Sequence, residues 1–261
     1  MTFAERAKDL LQVRPARQAI NRDIRNMARM VEAIAPEPKD DRLIISFNAS
    51  TRITGLSLNA AFAMLTGWSL QLQGVRVVHF ACLHGMRRCV LGTRTDDVLQ
   101  EPPCQQCVKQ SDAIYDRQEL VWMAGEPDAD LEEAVGKLSL AELQYFTYED
   151  IPLGELCLPS MRWILRRHHL VDDAPTTQLY RDYILSAYSV AMQFESLVNE
   201  LHPLAVMVFN GMQFPEATAR WVARKHGIPA YSHEVGLRAT SAFFTAGEAT
   251  AYPVDIPNDF Q

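Results

Sequence analysis

Apolar residues along this chain follow two rhythms. Some form short unbroken runs bounded by polar loops; others recur every three to four positions over longer stretches. The first pattern reads as parallel strands buried on both faces, the second as amphipathic helices. Residues 15–35 set Ile20, Ile24, Met27, Val31 and Ile34 on one helical face, closed by Pro36 and Pro38. Arg42–Phe47 (RLIISF) is the first strand-like run, and the polar loop NASTRITGLS follows it. A helical stretch over 58–72 comes next, with Phe62, Leu65 and Leu72 predicted to be buried. Gly74 stops it, and Val75–Cys82 (VRVVHFAC) forms the second strand. Strand, helix and strand in this order predict a right-handed βαβ unit.

The pattern breaks over residues 83–110, an irregular insertion, and a helical rhythm resumes over 112–120. Acidic, alanine-rich sequence with short helices runs to Glu149. A long helix is predicted over 177–201, with Tyr183, Ala187, Val190, Phe194 and Leu197 on one side. The most informative stretch is Leu204–Gly236. Val206–Phe209 is a buried strand broken by Asn210-Gly211. Pro215 and Glu216 suit a first helical turn, where a missing N–H costs nothing and an acid meets the positive dipole end. Ala217, Trp221 and Val222 supply the buried stripe, and Gly227 ends the helix. Ile228–Tyr231 is then a second strand that delivers Ser232, His233 and Glu234 to its carboxyl end. Ligands collect at that edge of open α/β sheets, so Asn210, His233 and Glu234 are expected to share a cleft. Each has a plainer reading: Asn210 as a turn residue, Glu234 as an ion-pair partner of Arg238, His233 as a packed side chain. After Gly236 the pattern weakens.

The predicted class is therefore α/β, a parallel sheet with helices on both faces. An N-terminal helical extension (1–40) precedes one domain (41–261) that carries an insertion at 82–110. Of the 261 residues, 48% are apolar, ample for a large core. A formal charge of −7 argues against nucleic acid as a partner. The basic cluster Arg162, Arg166, Arg167, His168 and His169 reads as a solvated helix face. No run approaches the roughly 20 apolar residues of a membrane span. The N-terminus, MTFAERAKDLL, lacks the apolar core of a signal peptide, which predicts a cytoplasmic protein. The loop after the first strand has neither G-x-G-x-x-G nor a Walker lysine, so dinucleotide and P-loop chemistry have no support.

Cys82, Cys89, Cys104 and Cys107 are spaced C-x6-C-x14-C-x2-C. The last pair has the tight spacing with which two thiolates grip one tetrahedral zinc, and four sulfurs would leave no open position, making such a zinc structural. His84 is a possible substitute for Cys82 or Cys89. The alternatives are ordinary buried thiols, or a redox C-x-x-C. The redox reading is disfavoured because Gln105 and Gln106 do not read as the start of a helix after a strand. Cys157 reads as a small buried residue.

FNG followed by PEATARWVARKHGIPAYSHEVG resembles the end of the N-terminal domain of glycosyltransferases that build surface and capsular polysaccharides. VRVVHFAC with the cysteine-bearing insertion ending PPCQQC is similar to the same group, as is IPLGELCLPSMRWILRRHHL. The resemblance covers most of residues 42–240. It implies a Rossmann-like domain of the two-domain GT-B architecture, meeting a glycan or lipid-linked acceptor. The nucleotide-sugar donor would sit on a second domain, expected beyond this chain's sequence or on a partner chain. Glu234 and His233 would then be candidates for the general base or for positioning the acceptor hydroxyl. Asn210 and Gly211 would bind a hydroxyl or phosphate oxygen, and Ser50, Thr51 and Arg52 would border the same cleft. The other function class left open is a non-catalytic, zinc-stabilised α/β module that binds a glycan or a partner protein.

Overall fold

The computed structural model describes residues 13–49, 55–125 and 128–250. In chain order the elements are α1 (Arg14–Ile34), β1 (Lys39–Asn48), α2 (Leu58–Gln71), β2 (Val75–Cys82), α3 (Cys104–Ile114), β3 (Glu119–Met123) and α4 (Ala129–Gly136). They continue with α5 (Leu140–Leu143), α6 (Leu153–Leu165), α7 (Ala174–Leu201), β4 (Ala205–Phe209), α8 (Phe214–Lys225), β5 (Ala230–Val235) and β6 (Ala242–Ala246). The strands form one six-stranded sheet in the order β3-β2-β1-β4-β5-β6. β1 to β5 pair in parallel and β6 runs antiparallel to β5. The chain moves outward from β1 to β3, then returns to lay β4 on the other side of β1. The carboxyl ends of β1 and β4 thus flank a topological switch point, where helices depart to opposite faces and leave a crevice.

Alternation along the strands divides the core in two. Leu43, Ile45 and Phe47 of β1, Val78 and Phe80 of β2, and Val206 and Val208 of β4 share one cluster with side chains of α6, α7 and α8. In that layer Tyr180, Tyr183 and Phe194 of α7 are completely buried. Each contributes about 2–3 kcal/mol through the apolar area it removes from water. The opposite face is thinner: Ile24 and Ala28 of α1, Met64 and Trp68 of α2, Ala81 of β2, and Ile114 and Tyr115 at the end of α3.

The long helix α7 buries Tyr183, Ala187, Val190, Phe194 and Leu197, as its periodicity predicts. Two other helices turn a different face inward. α1 buries Asn21, Ile24 and Ala28, whereas Met27 and Ile34 are exposed. Asn21 accepts a buried hydrogen bond from Gln110 of α3 at 3.0 Å, so α1 belongs to the helical layer. α2 buries Ala60, Ala63, Met64, Gly67 and Trp68, leaving Leu65 and Leu72 exposed. The reason is proximity to the sheet. A Cβ on Gly67 would lie 3.4 Å from the His79 ring, so the small-residue stripe lets α2 settle against β2.

Three boundaries also differ. Residues 112–120 are not one helix: α3 ends at Ile114 and β3 begins at Glu119. β5 includes Ser232, His233 and Glu234 within the strand. β6, unforeseen, closes the edge of the sheet beside β5.

The irregular insertion is held by polar bonds. Arg88 is buried; it donates to Asp182 of α7 at 3.0 Å and to the carbonyls of Gln100 and Leu99 at 2.6 and 3.2 Å. Its backbone N–H donates to Ser186 at 3.0 Å. The Tyr183 hydroxyl bonds Thr93 at 2.9 Å. These bonds fix residues 88–100 over the crevice, together with Val90, which is buried in the main core.

Candidate functional site

A cavity of about 770 Å³ lies at the carboxyl edge of the sheet. Asn48 and Ala49 at the end of β1, Phe209 and Asn210 at the end of β4, and Glu234 of β5 form its floor. The first turn of α2, the insertion, the carboxyl end of α6 and the first turn of α8 supply the walls. This is the switch-point crevice.

Asn210 and Glu234 meet in it. Asn210 has φ +55°, a left-handed conformation that asparagine tolerates better than most residues. There its side chain spans two partners: Nδ2 donates to Glu234 Oε2 at 2.9 Å and Oδ1 accepts the Met212 N–H at 3.0 Å. Glu234 Oε1 accepts the Val235 N–H at 2.7 Å. The carboxylate is thus held by the turn after β4 and by the N–H of the next residue of β5, with no bond to Arg238 among the described residues. Gly211 makes the turn possible: its φ is +75°, and a Cβ there would approach Ser232 Oγ to 2.6 Å. It does not itself line the cavity.

His233 does not reach the cleft. Strand alternation turns it to the opposite face of β5 from Glu234. It is 2% exposed, flanked by Phe209 and Phe244 with ring centroids 5.9 Å from each. Burial lowers its pKa to about 4, so it is neutral at pH 7. The expectation that it acts on a substrate proton is corrected to a packed imidazole. Ser50, Thr51 and Arg52 lie outside the described residues.

Glu216 is the residue that sequence reasoning placed only as a first-turn acid. It lines the cavity from the start of α8, 7% exposed. Burial raises its pKa to about 8, opposed only weakly by its own backbone N–H. Among the described residues no cation pairs with it. Its signal, an acid immediately after Pro215, was indistinguishable from ordinary dipole matching. Trp163 was also missed. It is 51% exposed at the cavity rim, with the Arg166 guanidinium 5.5 Å from its ring centre. The remaining polar lining is mostly amide and hydroxyl: Asn48, Asn59, Gln213, Ser57, Thr93 and Thr95. Arg94 is engaged by Asp96 at 2.8 Å. The lining thus combines neutral hydrogen-bonding groups and an exposed indole with three carboxyls, Asp96, Glu216 and Glu234, and two arginines, Arg94 and Arg166.

The four cysteines, up to 25 positions apart in sequence, line a second and much smaller cavity of about 20 Å³, together with His84. No disulfide joins them. Among the described residues no group of three or more His, Cys, Asp or Glu side chains is arranged to hold a metal ion as it stands. Cys104 does begin a helix, contrary to the sequence reading. Its thiol is nevertheless not activated: burial, then the neighbouring Cys107, raises its pKa. Burial likewise pushes Cys82 to about 11 and Cys89 to about 12. The raised pKa of Cys104 weighs against a redox role. Cys157 is fully buried in the main core.

No protein-family model matches this chain, and no curated protein matches it. Among the described residues no helix is long and apolar enough to cross a membrane.

Proposed function

We propose that this chain is the acceptor-side half of a glycosyltransferase, binding a glycan or glycolipid headgroup in the switch-point cleft. The observation that carries this reading is the cleft itself: Asn210 and Glu234 from adjacent strands face buried Glu216 across one cavity with an indole at its rim. The resemblance of FNG and HEVG to surface-polysaccharide enzymes supports the same reading, as does the sheet order, which is that of a Rossmann-like domain. Action in the cytoplasm belongs to this reading.

The roles follow from protonation. Glu216, kept neutral at pH 7 by burial, donates a hydrogen bond to a sugar oxygen. Glu234 accepts the proton of the attacking hydroxyl; each of its oxygens keeps a lone pair beyond the bond it already receives. The acceptor oxygen forms the new bond to the anomeric carbon as the bond from that carbon to the nucleotide's phosphate breaks. The nucleotide leaves with the electron pair. The donor nucleotide-sugar is held by a second domain or a partner chain. Asn210 positions Glu234 and does not itself transfer a proton.

A second reading, a glycan-binding module without catalysis, draws on the fact that both Glu234 oxygens are already engaged by protein N–H groups. Saturation-transfer NMR with a panel of neutral oligosaccharides and nucleotide-sugars tests the shared part. Oligosaccharide should receive saturation, and Trp163→Ala should remove it with the fold intact by circular dichroism. No glycan signal at millimolar concentration, or an unchanged signal in Trp163→Ala, would remove both readings. Assayed together with the domain or chain that holds the donor, Glu234→Gln then separates them: retained glycan binding with lost transfer favours the enzyme, and unaltered behaviour the module.

A further inference from the structure

The thiol cavity takes no part in the cleft chemistry, and its construction is specific. Cys82 ends β2, Cys89 lies in the insertion, and Cys104 and Cys107 occupy the first turn of α3. Spaced i and i+3, the last two share one face of that helix. Pro102 and Pro103 enter the same cavity and stiffen the approach to it.

A backbone amide turns towards one of the sulfurs. The Gly92 N–H donates to Cys89 Sγ at 3.2 Å. An amide three positions after the cysteine thus faces the Cys89 sulfur. Bonds of this kind orient a metal thiolate and offset its charge. Close packing enforces both loops. A Cβ on Gly92 would lie 2.6 Å from Pro102 Cβ, and one on Gly85 would lie 2.4 Å from the Met123 carbonyl oxygen. Four sulfurs from three separate segments, none in a disulfide, therefore surround a void of about one water's size.

We propose that Cys82, Cys89, Cys104 and Cys107 turn inward on one soft divalent cation, zinc by its chemistry, forming a closed four-sulfur site. The sulfurs share a cavity but do not yet form a ligating group. Rotation about their Cα–Cβ bonds is the step that closes it, and the thiol protons pass to solvent as the metal binds. A full set of four sulfurs leaves no position for substrate, so the ion is architectural. Its influence reaches the cleft all the same. Ala49, Met86, Cys89 and Leu91 line both cavities, so the metal fixes one wall of the large one.

The test uses the full chain, purified in reductant and loaded with zinc or cobalt(II) alone. About one equivalent should bind, cobalt should give an intense sulfur-to-metal charge-transfer band, and zinc should protect the four thiols from alkylation. Cys107→Ser should weaken that band and lower affinity by roughly tenfold or more. If that variant does not fold, the alkylation of the unaltered chain decides. Equal alkylation rates with and without zinc would overturn the proposal, as would disulfides among these four cysteines with no metal uptake. Because no readout involves a sugar, the outcome is independent of the glycan assignment.

Discussion

The Asn210 side-chain amide donates to the Glu234 carboxylate at 2.9 Å, linking the ends of two adjacent parallel strands. The same side chain accepts the Met212 N–H, so one residue fixes both the turn after β4 and the carboxylate of β5. Its left-handed backbone is part of the arrangement. Asn210→Ala should cost about 1–3 kcal/mol, because it loses two hydrogen bonds and with them the local side-chain bonding that lets asparagine adopt a left-handed backbone. Asn210→Gly removes the Cβ at positive φ and should recover some of that stability in urea denaturation. Neither variant should bind glycan as the unaltered chain does.

Glu216 gives a pH signature. Its folded pKa of about 8 lies above its ordinary value of 4.5. Between those two values the unfolded chain has lost the proton and the folded chain retains it. Stability therefore falls as pH rises through that window, by up to about 1.4 kcal/mol per pH unit, and levels off above it. Glu216→Gln should flatten this part of the profile and be the more stable protein at pH 8–9. Denaturant titrations from pH 5 to 9 on both proteins check this. An unchanged slope would mean that the carboxyl finds a cation in solution.

The Arg88–Asp182 pair anchors the insertion in a buried setting, with both side chains nearly inaccessible. Asp182→Asn strands the buried Arg88 charge and should cost about 3–5 kcal/mol, whereas Arg88→Met leaves Asp182 its contact with Arg87 at 3.3 Å and should cost less. The double variant should cost less than their sum. A double-mutant cycle by chemical denaturation measures the coupling, and amide exchange should rise first over residues 88–100.

Gly85 lies against the Met123 backbone, where a Cβ would stand 2.4 Å from the carbonyl oxygen, and Gly125 lies against Gly85 in turn, its Cβ position 2.3 Å from the Gly85 carbonyl oxygen. No rotamer relieves a clash with backbone. Gly85→Ala should destabilise the protein by roughly 2–4 kcal/mol, seen as a lower Tm, and should speed alkylation of Cys82. Leu65→Ser is the contrasting control. That side chain is 46% exposed, and the change should stay within about 0.5 kcal/mol.

Much of the sheet was legible because a buried parallel strand announces itself by composition. Val75–Cys82 emerged with its observed limits, and β1 and β4 within a few residues. The inward faces of α1 and α2 were not legible, because hydrophobicity alone favoured Leu65 and Met27 over Ala63 and Ala28. Close helix–sheet contact rewards small side chains, and that contact exists only in three dimensions. β6 was hidden for a related reason. At an edge its aromatics, Phe243 and Phe244, remain half exposed, so it lacks the signature of a covered strand.

At the cleft the strand–helix–strand pattern was enough to place Asn210 and Glu234 at neighbouring strand ends, because strands joined by one crossover helix tend to lie side by side and parallel. Only the tertiary structure decided that His233 faces away, because a one-residue step along a strand reverses the side chain. It alone also showed that Glu216 is buried and Trp163 exposed. Burial depends on what packs from distant segments, and here the insertion, α6 and α8 meet over one floor. The cysteine spacing was plain in the sequence, but the gathering of all four sulfurs around one void needed the fold to bring β2, the insertion and α3 together.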